Sequence, residues 1–125
     1  AAHAIVPFYG QGMNASFEDV RRLDELHASG QTDLPKRLFQ ERKANADAIA
    51  EMALMNFIEM RDHVGDPMFL KRKALERRLG RWMPGLFTPL YDRVSFSNQS
   101  YADALRRGRR QDQLLRGLQR LGLAR

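Results

Sequence analysis

Two glycines and two amide side chains stand at the predicted start of a helix, in the order Gly10-Gln11-Gly12-Met13-Asn14. Glycine lets backbone approach a ligand closely, and a helix start directs N–H groups at it. Such a site stabilises negative charge, as on a phosphate, a carboxylate or the pyrimidine edge of a reduced flavin. A glycine turn leading into a helix fits the same spacing, and spacing alone favours that plainer interpretation.

A second set of candidates is polar side chains in apolar surroundings. Asn56 and Glu59 are three residues apart and so share one face of a predicted helix, beside Met52 and Met60. Polar groups on an apolar face need partners or a ligand, although a pair that faces solvent fits equally well. Tyr91 is either a ligand-facing hydroxyl or a core tyrosine, and the core is the default.

Metal and nucleophile chemistry find little support in the sequence. The absence of cysteine excludes disulfides, thiolate metal sites and a cysteine nucleophile. His3, His27 and His63 are too far apart to form a helical metal pair, so we assign them to structure and predict no metal site. No Ser-His-Asp or paired-carboxylate arrangement follows from spacing.

The elements that position these residues are predicted to be mainly α: about five helices with one short extended segment. Apolar periodicity and cap signals set their limits. The alternation over residues 90–96 predicts the short strand or extended loop. The predicted helices run from about Met13 to Gly30, from Asp33 to about Arg42, from Asn45 to His63, from Pro67 to about Pro84, and from Ser100 to about Leu121. The last two carry predicted apolar stripes, Met68, Leu75, Leu79 and Trp82 on one, and Leu105, Leu114, Leu118 and Leu121 on the other.

Positive charge is concentrated in the last helix. The 125 residues carry a formal net charge of +6, and residues 101–125 hold seven arginines against Asp103 and Asp112. A basic helix of this kind can meet nucleic acid or an anionic membrane surface. No aromatic residues interleave the arginines, which favours an ordinary amphipathic helix and no nucleic-acid partner. No apolar run approaches the ~20 residues that cross a bilayer.

Three stretches resemble one family. Ala1 to Asn14 resembles the second flavin-binding motif of the group A FAD-dependent aromatic hydroxylases, without the Gly-Asp that precedes it there. Asn56 to Val64 and Pro89 to Ser97 are similar to blocks of those members that hydroxylate kynurenine. The resemblance implies the C-terminal part of a larger α/β, Rossmann-like FAD-binding monooxygenase. Residues 1–30 would end its FAD-binding domain, and residues 31–125 would form a helical region that contributes to the substrate pocket.

The resemblance also implies the reaction. In that family NADPH reduces FAD, O2 adds to the reduced flavin, and the resulting hydroperoxide hydroxylates L-kynurenine to 3-hydroxykynurenine, in tryptophan degradation toward NAD. Gln11 would lie near the reacting centre, and Tyr9 is left without a role. The implied cofactor-binding residues are Gly10, Gly12, Met13 and Asn14, and the implied substrate-binding residues are Pro7, Phe8, Asn56, Glu59 and Tyr91.

The same resemblance implies a partner. The remainder of the enzyme would supply the ADP-binding half of the FAD site, so we predict that this chain alone binds no FAD and has no activity. The membrane-anchoring segment of mitochondrial members is not present here, which predicts a soluble, cytoplasmic, bacterial-type enzyme with no stable membrane anchor. Another aromatic hydroxylase is the first alternative, although Asn56 to Val64 fits the kynurenine enzymes best. A basic helical binding module that uses Arg106 to Arg110 is the second, and it leaves Gly10 to Asn14 unexplained.

Overall fold

Helices make up most of the structure, a computed structural model that describes residues 5–97 and 99–121. A 3-10 turn at Pro7–Tyr9 precedes the first helix, and a π-helical segment at Glu59–His63 continues the second. No β-strand occurs within these two ranges. The predicted mainly α fold with about five helices is confirmed. The helices are α1 (Gly12–Ala28), α2 (Leu34–Ile58), α3 (Pro67–Trp82), α4 (Leu90–Phe96) and α5 (Tyr101–Arg120).

Capping residues set three of the helix limits as predicted. Gly30, at φ +70°, follows α1 and donates its N–H to the carbonyl of His27. Asp66 caps α3 by accepting the N–H of Met68 at 2.9 Å. Ser100 accepts the N–H of Asp103 at the start of α5, and its hydroxyl donates to the Asp103 carboxylate.

The predicted break at Asn45 is wrong, because α2 runs through it without interruption. Residues 36–58 contain no glycine or proline and five alanines, the strongest helix former. One asparagine in such a sequence costs only a few tenths of a kcal/mol more than its neighbours, which is too little to end a helix.

The predicted extended segment at 90–96 is also wrong, because these residues form α4. Its buried positions are the adjacent Arg93 and Val94, with Leu90 partly buried one turn earlier. This is helical spacing rather than the alternation of a strand. Pro89 stands at the N-cap, where its missing N–H does no harm.

The chain divides into two compact units, one up to Asn56 and one from Phe57 on. In the first unit the core lies under α1 and α2, and Arg42 of α2 forms ion pairs with Glu18 and Asp19 of α1 at 2.8 and 2.6 Å. A functional boundary at residue 30 stays a prediction. The buried apolar residues of this unit are Tyr9, Ala15, Leu26, Ala48, Ile49, Met52 and Ala53.

The second unit packs α3, α4 and α5 together. Leu75, Phe87 and Leu115 form its core, with Leu79 and Leu118 packed against them. Of the two predicted apolar stripes, Leu75 and Leu105 are buried and Leu79 and Leu118 pack against the core, whereas Met68, Trp82, Leu114 and Leu121 are exposed in this chain. Helix α3 lies close to the backbone of Phe87 in the loop before α4. A Cβ on Gly80 would be only 2.6 Å from the carbonyl oxygen of Phe87. None of the helices that the structure describes is long and apolar enough to cross a membrane.

Candidate functional site

The chain enters α1 through a turn in which Gly10 adopts the left-handed backbone conformation. Gly10 has φ +68°, a conformation that side chains with a Cβ rarely adopt, and its N–H donates to the carbonyl of Pro7 at 3.3 Å. Positions where a Cβ would stand on Gly10 and Gly12 have no atom within 4 Å. The glycine pair thus leaves open space beside the backbone. The part of this motif before Ile5, with His3, lies outside the described residues.

The N-terminus of α1 follows at once. Ala15 makes the first helical bond, from its N–H to the carbonyl of Gln11 at 3.0 Å. The N–H groups of Gly12, Met13 and Asn14 precede it and have no acceptor within the helix. Three N–H groups and the positive end of the helix dipole therefore converge beside the glycine turn.

Gln11, predicted to lie near the reacting centre, is a buried residue at the N-cap of α1. Its side-chain oxygen accepts a hydrogen bond from Nδ2 of Asn14 at 2.8 Å. Helix geometry places the two residues on adjacent turns, so the contact fixes both amides against the start of the helix.

Asn56 reaches this same segment from the far end of α2. Its Nδ2 donates to the carbonyl oxygen of Phe8 at 2.6 Å, across 48 positions of sequence. The structure thus brings together two predicted substrate-binding residues. Pro7 and Phe8 are exposed, whereas Tyr9, which the sequence left without a role, is 6% exposed and belongs to the core of the first unit.

Glu59 opens the π-helical segment of the second unit. π-helical turns insert an extra residue into a helix and are frequent at functional sites. Nζ of Lys73 lies 3.5 Å from the Glu59 carboxylate and 3.8 Å from that of Glu76. His63, at the end of the segment, stacks on Phe69 with ring centroids 5.7 Å apart. These contacts hold the segment against α3.

Tyr91 is on the outer face of α4 and is 53% exposed. The core assignment that the sequence favoured by default is therefore wrong, and the phenol ring is accessible from outside this chain. Arg93, two residues later and on the opposite face, is 6% exposed.

Sequence reasoning missed Arg93. Its Nε donates to the carbonyl of Thr88 at 3.2 Å, and its Nη2 donates to the carbonyls of Gly85 and Leu86 at 3.3 and 3.2 Å. Nη2 also lies 3.3 Å from Oε1 of the buried Gln111. Nε2 of Gln111 in turn donates to the carboxylate of Glu76. We call Arg93, Gln111 and Glu76 the Arg93 network.

Burial and nearby charges set the electrostatics of Arg93. Burial lowers the pKa of Arg93, and the nearby charge of Arg107 lowers it further, whereas Glu76 raises it. An arginine still keeps its proton at neutral pH, so the buried guanidinium remains a cation. Glu76 also lies 3.8 Å from Nζ of Lys73. One signal could have identified Arg93 as buried. Leu90 and Val94 are four residues apart, which is helical spacing, and Arg93 is a charged residue on the same helix face.

Other features lie apart from the predicted residues. An open cleft of about 500 Å³ is lined by Ala74, Arg77, Arg78 and Arg81 of α3. Within the described part of the chain, no group of three or more His, Asp or Glu side chains is placed to hold a metal ion. The arginines 106, 107, 109 and 110 of α5 are exposed, and Arg106 pairs with Asp103 one turn away.

Known proteins resemble this chain over most of its length. Kynurenine 3-monooxygenase of Christiangramia forsetii is 48% identical over 118 residues, which cover 92% of this chain and 26% of that protein. The enzyme of the same name from Myxococcus xanthus is 54% identical and matches 86% of the chain, and that of Dictyostelium discoideum is 48% identical and matches 94%. No protein-family model matches the chain.

By sequence, this chain belongs to the kynurenine 3-monooxygenase family. It spans about a quarter of the length of the curated relatives that it matches. The resemblance read from three short blocks thus extends over most of the chain. Kynurenine 3-monooxygenases are oxidoreductases of the monooxygenase class, which confirms that part of the interpretation.

Proposed function

We propose that this chain is the C-terminal part of an FAD- and NADPH-dependent monooxygenase that converts L-kynurenine to 3-hydroxykynurenine. The observation that carries the proposal is the hydrogen bond between Asn56 and Phe8, which joins the segment most typical of kynurenine hydroxylases to the segment most typical of flavin hydroxylases. The 48–54% identity to proteins named kynurenine 3-monooxygenase supports it independently.

The start of α1 fits one edge of a flavin. No atom lies within 4 Å of a Cβ position on Gly10 or Gly12, which supports close approach of a flat ring to this backbone. The N–H groups of Gly12, Met13 and Asn14 would suit the negative charge of its reduced pyrimidine edge. When bound, FAD would take electrons from NADPH and deliver them to O2, the source of the oxygen atom that is transferred. The chain's own contribution is to bind, orient and polarise. The ADP half of the cofactor would be held by the remainder of the enzyme.

The resemblance assigns substrate binding to Pro7, Phe8, Asn56, Glu59 and Tyr91. Pro7 and Phe8 would border the space between flavin and substrate ring. Asn56, which donates to the Phe8 carbonyl, would also bind the kynurenine carboxylate. The hydroxyl of Tyr91 is a further candidate donor to the substrate. Glu59 would face the substrate amine, its charge moderated by Lys73.

The test uses the complete parent polypeptide supplied with FAD and NADPH. NADPH oxidation is followed with and without L-kynurenine, and mass spectrometry looks for a product heavier by one oxygen atom. We expect kynurenine-dependent oxidation with that product. Oxidation that responds to a different aromatic acid would move the assignment to another hydroxylase of the same family. Absence of flavin from the purified protein would overturn the flavoenzyme assignment itself.

The location also stays a prediction. We propose that the parent enzyme is cytoplasmic. Fractionation of cells that express it, with the enzyme assayed in the pellet and in the supernatant at low and high salt, would test this. Stable recovery in washed membranes would contradict it.

A further inference from the structure

We propose that the Arg93 network holds α4 in the one orientation that brings the hydroxyl of Tyr91 to the substrate, so that Arg93 is a positioning residue for Tyr91. This inference rests on the proposed function. It concerns Arg93, Gln111 and Glu76, none of which is among the predicted cofactor-binding or substrate-binding residues.

The length of α4 is the first step. With seven residues it has two turns, and helices this short are unstable by themselves in water. Its position therefore depends on tertiary contacts. Leu90 packs against α5 at Gly108, where a Cβ would lie 3.0 Å from the leucine Cδ1. Apolar contacts of this kind tolerate rotation, because dispersion has little directionality.

The hydrogen bonds of Arg93 fix the rotational orientation of α4. Its planar guanidinium donates to three carbonyl oxygens of the loop 85–88, which leads into α4, and lies beside Gln111 of α5. Hydrogen bonds weaken steeply when distance and angle depart from their optimum. Nε carries one hydrogen and Nη2 carries two, so Nη2 shares its hydrogens among three acceptors; together these contacts on one rigid group oppose rotation of α4 about its axis. Glu76 of α3 completes the network through Gln111, so all three helices of the unit take part.

Any such rotation of α4 displaces the side chain of Tyr91. Atoms on the surface of a helix lie about 5–6 Å from its axis, so a rotation of about 20° moves them by about 2 Å. A hydrogen bond between the Tyr91 hydroxyl and a carboxylate does not survive a displacement of that size. The buried side of α4 therefore determines what its exposed side can bind.

The test is a double-mutant cycle in the complete enzyme. Arg93→Met removes the hydrogen bonds but keeps an unbranched side chain of similar length, and Tyr91→Phe removes the hydroxyl. We expect Arg93→Met to raise KM for L-kynurenine about tenfold in the parent background and less than twofold in the Tyr91→Phe background, because the hydroxyl that it positions is then absent. Arg110→Met, on the exposed face of α5, is the matched control and should leave KM unchanged.

Three outcomes would overturn the inference. Equal KM effects of Arg93→Met in both backgrounds would mean that Arg93 does not act through Tyr91, and a lowered Tm with unchanged KM would mean a role in stability alone. No kynurenine-dependent turnover of the parent enzyme would remove the proposed function and the inference with it. If Arg93→Met does not fold, Gln111→Met removes a single contact of Arg93, and the same cycle should give a smaller KM rise that again disappears in Tyr91→Phe.

Discussion

The side-chain amide of Asn56 donates to the main-chain carbonyl of Phe8 with 2.6 Å between nitrogen and oxygen. This bond joins the end of α2 to the 3-10 turn that precedes the glycine pair. The carbonyl of this turn thus accepts a hydrogen bond from a side chain 48 positions away in the sequence. Asn56 is thereby a structural residue of the turn as well as a candidate substrate ligand.

Asn56→Ala should impair both roles. Loss of a hydrogen bond to the backbone costs about 1 kcal/mol, and loss of a substrate contact adds to it. We expect KM for L-kynurenine in the complete enzyme to rise at least tenfold, measured by NADPH oxidation, with FAD content retained. Gln40→Ala, an exposed amide on the same helix, should change neither value. A KM within twofold of the parent would contradict the assignment.

Tyr91→Phe should affect binding but not stability. The residue is half exposed in this chain, and the substitution removes only the hydroxyl. The expected result is a KM for L-kynurenine raised about tenfold, equivalent to about 1.4 kcal/mol, with Tm unchanged. If Tm falls while KM stays the same, the hydroxyl serves packing within the enzyme instead.

The ion pairs of Arg42 should stabilise the first unit. Arg42 and Asp19 are both mostly buried and lie 2.6 Å apart. Arg42→Gln leaves the Asp19 carboxylate without its cation, and we expect the free energy of unfolding to fall by about 1–3 kcal/mol. Arg21→Gln, which breaks an exposed pair with Glu25, should leave it nearly unchanged, because solvent screens the charges of an exposed pair. Urea denaturation of the complete enzyme measures both, and equal effects would refute the distinction.

Gly80→Ala should destabilise the second unit. The added methyl group would meet the carbonyl oxygen of Phe87 at 2.6 Å, and backbone must move to relieve this contact. The cost of such overpacking is about 1–3 kcal/mol, which exceeds the helix propensity gained. Gly117→Ala meets nothing within 4 Å and should raise the Tm instead. A higher Tm for Gly80→Ala would show that α3 can move away from Phe87.

The isolated chain should bind no FAD. Its residues reach only one edge of the flavin ring under the proposed function, whereas the ADP half would need the remainder of the enzyme. The measurement is absorbance near the flavin bands after purification in the presence of excess FAD, with the complete enzyme as the positive control. Flavin that co-purifies with the isolated chain in equal amount would contradict the prediction.

Helix caps and family motifs can be predicted from the sequence because each depends on a few neighbouring residues. Asp66, Ser100 and Gly30 form their capping contacts with residues a few positions away. Their residue types therefore predict the helix limits that the structure has. The family was readable for the same reason, from three short blocks of sequence. The predicted break at Asn45 is wrong because one cap residue is weak evidence within a long sequence that favours helix. The predicted extended segment at 90–96 is wrong because its apolar alternation is short and Arg93, a charged residue, is buried.

The sequence by itself thus determined the helical class, most helix limits and the family. Only the tertiary structure decided that Asn56 contacts Phe8, that Tyr91 is outside and Tyr9 inside, and that Arg93 is buried among carbonyl oxygens. The physical reason is that local signals depend on neighbours along the chain. Burial and long-range hydrogen bonds depend on which helix faces meet, and many sequences with the same pattern allow more than one answer.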